Sequence, residues 1–219
     1  MMHYLALTLA VTVALLIRAE ILGIKSQIYI LKPASTLLVI AVALLSLNDP
    51  SRNMTYSTGI LVGLALCFGG DLALMFQDRR KPFMLGLVLF LLGHIAYTVA
   101  FTLLGRPSGW VLLSTLLLLA AGLGFYRLIA ANLGSMRIPV ILYFLVISLM
   151  VIQATSLLAS PAISDFQAAM IIGGAILFYI SDVMLAANRF WRPWKYNRTS
   201  LALYYGGQLL IAMAANHFN

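Results

Sequence analysis

A chain of 219 residues that is 63% hydrophobic and 9% charged, with a mean hydropathy of +1.00, excludes a water-soluble domain, where about 25% of residues are charged. Its formal net charge of +8 falls in a belt along one side of the apolar runs. It therefore reads as membrane topology and contact with anionic headgroups in preference to nucleic-acid binding. Cys67 is the only cysteine, so one chain can form neither an internal disulfide nor a thiolate metal cluster.

A bilayer core about 30 Å thick takes about 20 apolar residues of helix at about 1.5 Å rise each. Eight such stretches occur, at 3–22, 28–47, 57–76, 82–104, 110–130, 138–158, 166–188 and 199–218. They predict an all-α bundle of eight transmembrane helices forming one domain over 1–219. The first stretch lacks a basic leader and a small-residue cleavage pattern before Arg18 and Glu20, and reads as a retained helix. The second is opened by Lys32-Pro33. The third ends in FGGDLALMFQDRR, which carries Asp71, and the fourth holds GHIAY, Gly93 to Tyr97. The sixth carries Tyr143, the seventh YISDVMLAANRF with Asp182, and the eighth YYGGQLLI with Tyr204 and Gln208. No connecting loop is long enough for a soluble domain, so any chemistry must occur among the helices.

Twelve of the fourteen Lys and Arg residues fall in the turns after helices 1, 3, 5 and 7, among them Arg79, Arg189, Lys195 and Arg198; only Arg52 and Arg106 fall in the others. By the positive-inside rule the odd turns are cytoplasmic and both termini lie on the non-cytoplasmic side. Asp71 then sits about 12 Å of helix inside Arg79, and Asp182 about 10 Å inside Arg189, at a similar depth on parallel helices. Glu20, Lys32, Tyr143 and Tyr204 share that cytoplasmic half. His94, Tyr97 and Gln208 lie nearer the midplane, and the outer half is almost bare.

An ionisable side chain in hydrocarbon costs at least about 2.5 to 3.5 kcal/mol on insertion scales. Interhelical hydrogen bonds average only about 0.6 kcal/mol and offset little of that, so the paired aspartates point to a functional site. The bland alternatives are a snorkelling Lys32, interhelical hydrogen-bonding roles for His94 and Gln208, and close helix packing for the glycines. A weak internal repeat supports the pairing: Asp71 and Asp182 each precede a proline, Pro82 and Pro193, by eleven residues, with a basic residue before each proline. The same offset carries helices 1 to 4 onto helices 5 to 8, as a 4+4 parallel duplication would.

Two carboxylates brought close in a low-dielectric site cannot both ionise, so one keeps its proton while its neighbour stays charged. Such a pair serves lipid hydrolysis, intramembrane peptide hydrolysis or proton-coupled transport. A three-histidine zinc site is not expected, because His3 and His217 belong at the outer face and His94 near the middle. Intramembrane aspartyl proteases fit poorly, because Phe68 stands where their Gly-x-Gly-Asp signature has glycine and Ser181 where the second Asp follows tyrosine.

Lys32-Pro33, Gly70-Asp71, GHIAY at Gly93 to Tyr97, GAILFYISD at Gly174 to Asp182 and YYGGQLLI at Tyr204 to Ile211 together resemble the lysoplasmalogenase family of YhhN-like integral membrane proteins. The resemblance covers nearly the whole chain. It implies hydrolysis of the vinyl-ether bond of a lysophospholipid substrate, giving a fatty aldehyde and glycerophosphoethanolamine or glycerophosphocholine, without metal or cofactor. The acid–base pair suits this bond, which is inert to base but is cleaved once an acid protonates the alkenyl carbon beta to oxygen. Asp71 and Asp182 are the expected catalytic residues, with either as the acid. Lys32 is an expected phosphate ligand, and Tyr143, Tyr204, His94 and Gln208, with Tyr97 beside them, are expected to orient water and substrate.

The expected location is a bacterial inner membrane, with the site toward the cytoplasmic half. Membrane lipids are the expected surroundings, and neither a nucleic acid nor a protein partner is inferred. The rival reading is a proton-coupled transporter of lipids or small molecules that uses the same aspartates. A transporter needs polar groups through both halves of the bundle.

Overall fold

Seven long apolar helices account for most of the computed structural model, which describes residues 2–194 and 197–216. They are α1 (Met2–Leu22), α2 (Lys25–Leu45), α3 (Met54–Leu74), α4 (Arg80–Leu104), α5 (Gly109–Ile129), α6 (Arg137–Ser156) and α7 (Asp165–Phe190). Each is long and apolar enough to cross a membrane. The described part of α8 (Ser200–Ala214) has 15 residues and is shorter than a full crossing. Lys195 and His217, which figured in the charge count and the zinc argument, lie outside the described residues.

Helix ends follow local chemistry. Asn53 caps α3 by accepting from the Tyr56 amide at 3.0 Å. Ser164 and Gln167 close a reciprocal capping box at the start of α7. α3 ends sooner than hydropathy suggests: it stops at Leu74, and Met75 to Arg79 form turns. Asp71 is therefore in the last turn of its helix. α2 starts at Lys25, so Pro33 sits inside it and does not open it. Lys32 is correspondingly two turns in and buried, with 7% of its surface exposed; it does not snorkel.

The helices pack as α1 on α2, α3 on α4 and α7 on α8, with α2 against α3 and α8, and α4 against α6. In the α7–α8 pair, Gly174 and Gly207 oppose each other so closely that a β-carbon on either would fall 2.7 or 2.6 Å from the other's carbonyl oxygen. Gly63 on α3 similarly makes room for the ring of Tyr97. Helices that approach to backbone contact gain dispersion where lipid offers no hydrophobic drive. α5 is the exception, since it rests on α6 and exposes most of its surface.

The end of the bundle far from the basic belt is not bare. Ser46, Ser57, Ser156, Ser160 and Gln167 are buried there. They bind mainly backbone carbonyls: Gln167 Nε2 donates to Ala214 O at 3.2 Å and Ser160 Oγ to Leu104 O at 2.6 Å. These short polar side chains tie helix ends together.

Candidate active site

α3 and α7 each bring one aspartate to a cavity that opens at the basic end of the bundle. Asp71, Asp182, Lys32, Tyr143 and Tyr204 all line it, with Phe90, Val140 and Phe144 as apolar wall and Glu20, Gln77, Asn188, Arg189 and Arg198 toward the mouth. The cavity holds about 110 Å³. Both aspartates are buried, Asp71 at 2% exposure and Asp182 at 8%.

Their surroundings differ. Asp71 Oδ2 accepts from Thr36 Oγ1 at 2.7 Å and from Tyr204 OH at 2.8 Å, while Lys32 Nζ stands 3.6 Å from Oδ1. Two hydroxyl donors and a cation suit a charged carboxylate. Asp182 Oδ2 accepts from Tyr143 OH at 2.6 Å. Its nearest basic group is His94, whose Nε2 is 3.8 Å away, too far for a hydrogen bond.

Helical periodicity explains how these groups meet. Lys32 and Thr36 are four residues apart and share a face of α2. Thr36 was not singled out in the sequence; its spacing from Lys32 was the available signal. Tyr205 was missed as well. Its hydroxyl donates to Lys32 O at 3.1 Å and lies 3.3 Å from Thr36 Oγ1, which fixes the α2–α8 seam beside Asp71.

Of the residues expected to bind substrate, Lys32, Tyr143 and Tyr204 reach the cavity, while His94, Tyr97 and Gln208 are fully buried behind it. His94 packs its ring edge to face against Phe178, with centroids 4.6 Å apart, and against Tyr143 at 5.4 Å. Phe178 and Phe90 flank Tyr204 at 5.1 and 5.8 Å. The phenols that bind the aspartates are thus held by aromatic packing. The His94 ring nitrogens, the Tyr97 hydroxyl and the Gln208 amide make no close hydrogen bond to an oxygen or nitrogen among the described residues; Tyr97 and Gln208 lie beside the Cys67 thiol, and His94 beside the Phe90 backbone. Among the described residues no three of His, Cys, Asp and Glu gather into a metal-binding group.

At the mouth, the Arg189 guanidinium lies 3.8 Å from the centroid of the Phe83 ring, and Arg198 Nε pairs with Glu20 Oε2 at 3.3 Å. The lip therefore offers two cations and a carboxylate above the chamber that holds the two aspartates. From the sequence, Arg189 and Arg198 belong only to the general basic belt, and Glu20 to the polar layer of the cytoplasmic half.

The model of the YhhN family matches residues 27–215. Lysoplasmalogenase TMEM86A of Bos taurus is 31% identical over 161 residues, which cover 73% of this chain and 65% of that protein. The Homo sapiens TMEM86A protein is 32% identical over 163 residues with the same coverage, and lysoplasmalogenase TMEM86B of Rattus norvegicus is 29% identical over 161 residues. The matched region spans 65% of the length of the two TMEM86A relatives. No solved structure matches the chain.

Proposed function

The chain belongs to the YhhN family, and from that membership together with the shared cavity we propose that it is a membrane-embedded hydrolase of lysoplasmalogens. It cleaves their vinyl-ether bond to a fatty aldehyde and glycerophosphoethanolamine or glycerophosphocholine. The observation that carries the reading is the opening of two differently supported, buried aspartates into one cavity. The names of the relatives supply the substrate class.

The asymmetry of the pair divides the labour. Asp182, hydrogen-bonded to the Tyr143 phenol with no cation at hand, holds the proton and delivers it to the alkenyl carbon beta to oxygen. The resulting oxocarbenium ion is stabilised by Asp71, whose negative charge is maintained by Lys32, Thr36 and Tyr204. Asp71 takes a proton from the attacking water, and a hemiacetal forms. Collapse returns the hydroxyl proton to Asp182 and moves the Asp71 proton to the departing glyceryl oxygen, so both groups regain their starting state. Lys32 acts as the counterion of Asp71, and Arg189 and Arg198 at the mouth take the substrate phosphate. His94, Tyr97 and Gln208 back the phenols and set the shape of the site.

The finer architecture belongs to the same reading. α8 completes an eight-span domain over 1–219, both termini face outward, and the site opens to the cytoplasmic leaflet of a membrane such as a bacterial inner membrane. Positive charge at the odd turns supports this orientation. Equal spacing of Lys32 before Asp71 and Tyr143 before Asp182 supports a 4+4 duplication. Polar groups at the far end that bind backbone carbonyls favour a one-sided chamber over a transport path.

The test is aldehyde release by purified protein from a lysoplasmenyl lipid, run in heavy water, beside the saturated lyso-ether as control. The expected product carries one solvent deuterium on the carbon next to the carbonyl. No aldehyde, or aldehyde without that deuterium, would refute the mechanism.

A further inference from the structure

The catalytic chamber, at about 110 Å³, is too small for a lipid tail. A second and larger hollow adjoins it. Between α5 and α6, with Tyr179 of α7 at its back, lies an apolar groove of about 550 Å³. Val140 and Phe144 line both spaces. Phe144 follows Tyr143, whose hydroxyl binds Asp182, so the groove begins one side chain away from the proposed acid.

Contacts between α5 and α6 flank the groove at each end. Toward the basic end, Phe125 packs on Phe144 with centroids 5.3 Å apart, and Arg137 Nε donates to Tyr126 OH at 2.6 Å. At the opposite end Ser114 Oγ and Thr155 Oγ1 are 3.0 Å apart and tie α5 to α6. Between these contacts the wall from Thr115 to Phe125 spans about 15 Å of helix, which matches about a dozen extended carbons. Gly122 leaves the middle of that wall without a side chain, and a β-carbon there would meet nothing within 4 Å.

We propose that this groove receives the hydrocarbon chain of the lysolipid and measures its length. The proposal rests on the hydrolase reading above. A single chain is the occupant because the groove is apolar, flanked by α5–α6 contacts, and adjoins the chamber where the ether must lie across Val140 and Phe144. The first carbons occupy the chamber, the chain turns past Phe144, and its end runs toward the Ser114–Thr155 contact. Transfer from bilayer to groove moves the chain between two apolar media, so the groove selects by fit and adds little affinity.

Rates of aldehyde release are compared for lysoplasmenyl lipids with chains of ten and eighteen carbons. Gly122→Trp is expected to lower the eighteen-to-ten rate ratio about tenfold or more. Gly124→Trp is the control, because Gly124 is exposed, lies outside the groove and also has open space at its β-carbon; it should leave the ratio at the wild-type value. An unchanged ratio in Gly122→Trp would overturn the proposal and assign the groove to a bulk membrane lipid or to a second copy of the chain.

Should Gly122→Trp fail to fold, the wild-type protein decides. A saturated lyso-ether bearing a photoreactive diazirine at its chain end should label Leu118, Leu149 or Ile152, and labelling confined to other residues would overturn the idea. That readout needs no turnover. A wild-type protein that takes up the label here yet releases no aldehyde would sink the hydrolase reading while leaving the groove assignment standing.

Discussion

Lys32 and Tyr143 are counterparts: Lys32 precedes Asp71 by the same 39 residues by which Tyr143 precedes Asp182, and each directs its polar atom at that aspartate. One position of the repeated pattern holds a cation and the other a neutral donor. In the proposed mechanism this difference in charge gives two otherwise similar carboxylates different roles.

Removing the cation should therefore harm both stability and turnover. Lys32→Met leaves Asp71 charged and buried, a change that costs about 3 to 5 kcal/mol when a buried pair loses one partner. Lys32→Met combined with Asp71→Asn should regain most of the thermal stability and remain inactive. Thermal unfolding in detergent and aldehyde release distinguish the two effects.

Each aspartate should be needed separately. Asp71→Asn and Asp182→Asn are expected to lower aldehyde release by about 10²- to 10⁴-fold, the range for a lost general acid or base. Full activity in either variant would remove that residue from the reaction.

Phenylalanine at the two phenols should give unequal results. Tyr143→Phe takes away the hydroxyl that holds Asp182, and a fall in kcat of about tenfold is expected with KM little changed. Tyr204→Phe should have the milder effect, because Asp71 keeps Thr36 and Lys32. Steady-state kinetics of both variants check the order.

Close helix contact predicts intolerance to a single methyl group. Gly174→Ala and Gly207→Ala each push a β-carbon against facing backbone and should destabilise the protein by about 1 to 3 kcal/mol. Gly122→Ala, facing open space, should be nearly neutral. Melting temperatures in one detergent compare the three.

The lip of the cavity should read the headgroup. Glu20→Gln removes the carboxylate paired with Arg198 and is expected to reduce the preference for ethanolamine-bearing substrate over the same alkenyl glycerol without a headgroup. Competition between the two substrates measures it.

Much of this was legible in one dimension. Hydropathy and helical rise set seven of the eight expected spans, since a bilayer admits few other solutions for an apolar chain. An aspartate in such a span is costly enough to announce a site by itself, which is why Asp71 and Asp182 stand out without coordinates. Side-chain partners were not legible, because they join helices far apart in sequence. Thr36 reaches Asp71 and Tyr143 reaches Asp182 only once α2 meets α3 and α6 meets α7. Lys32 read equally as a headgroup ligand, and its place beside Asp71 depends on α2 continuing through Pro33. The groove along α5 lay further still from view, since a space is defined by what does not pack, and a run of leucines reads alike whether it faces lipid or a cavity.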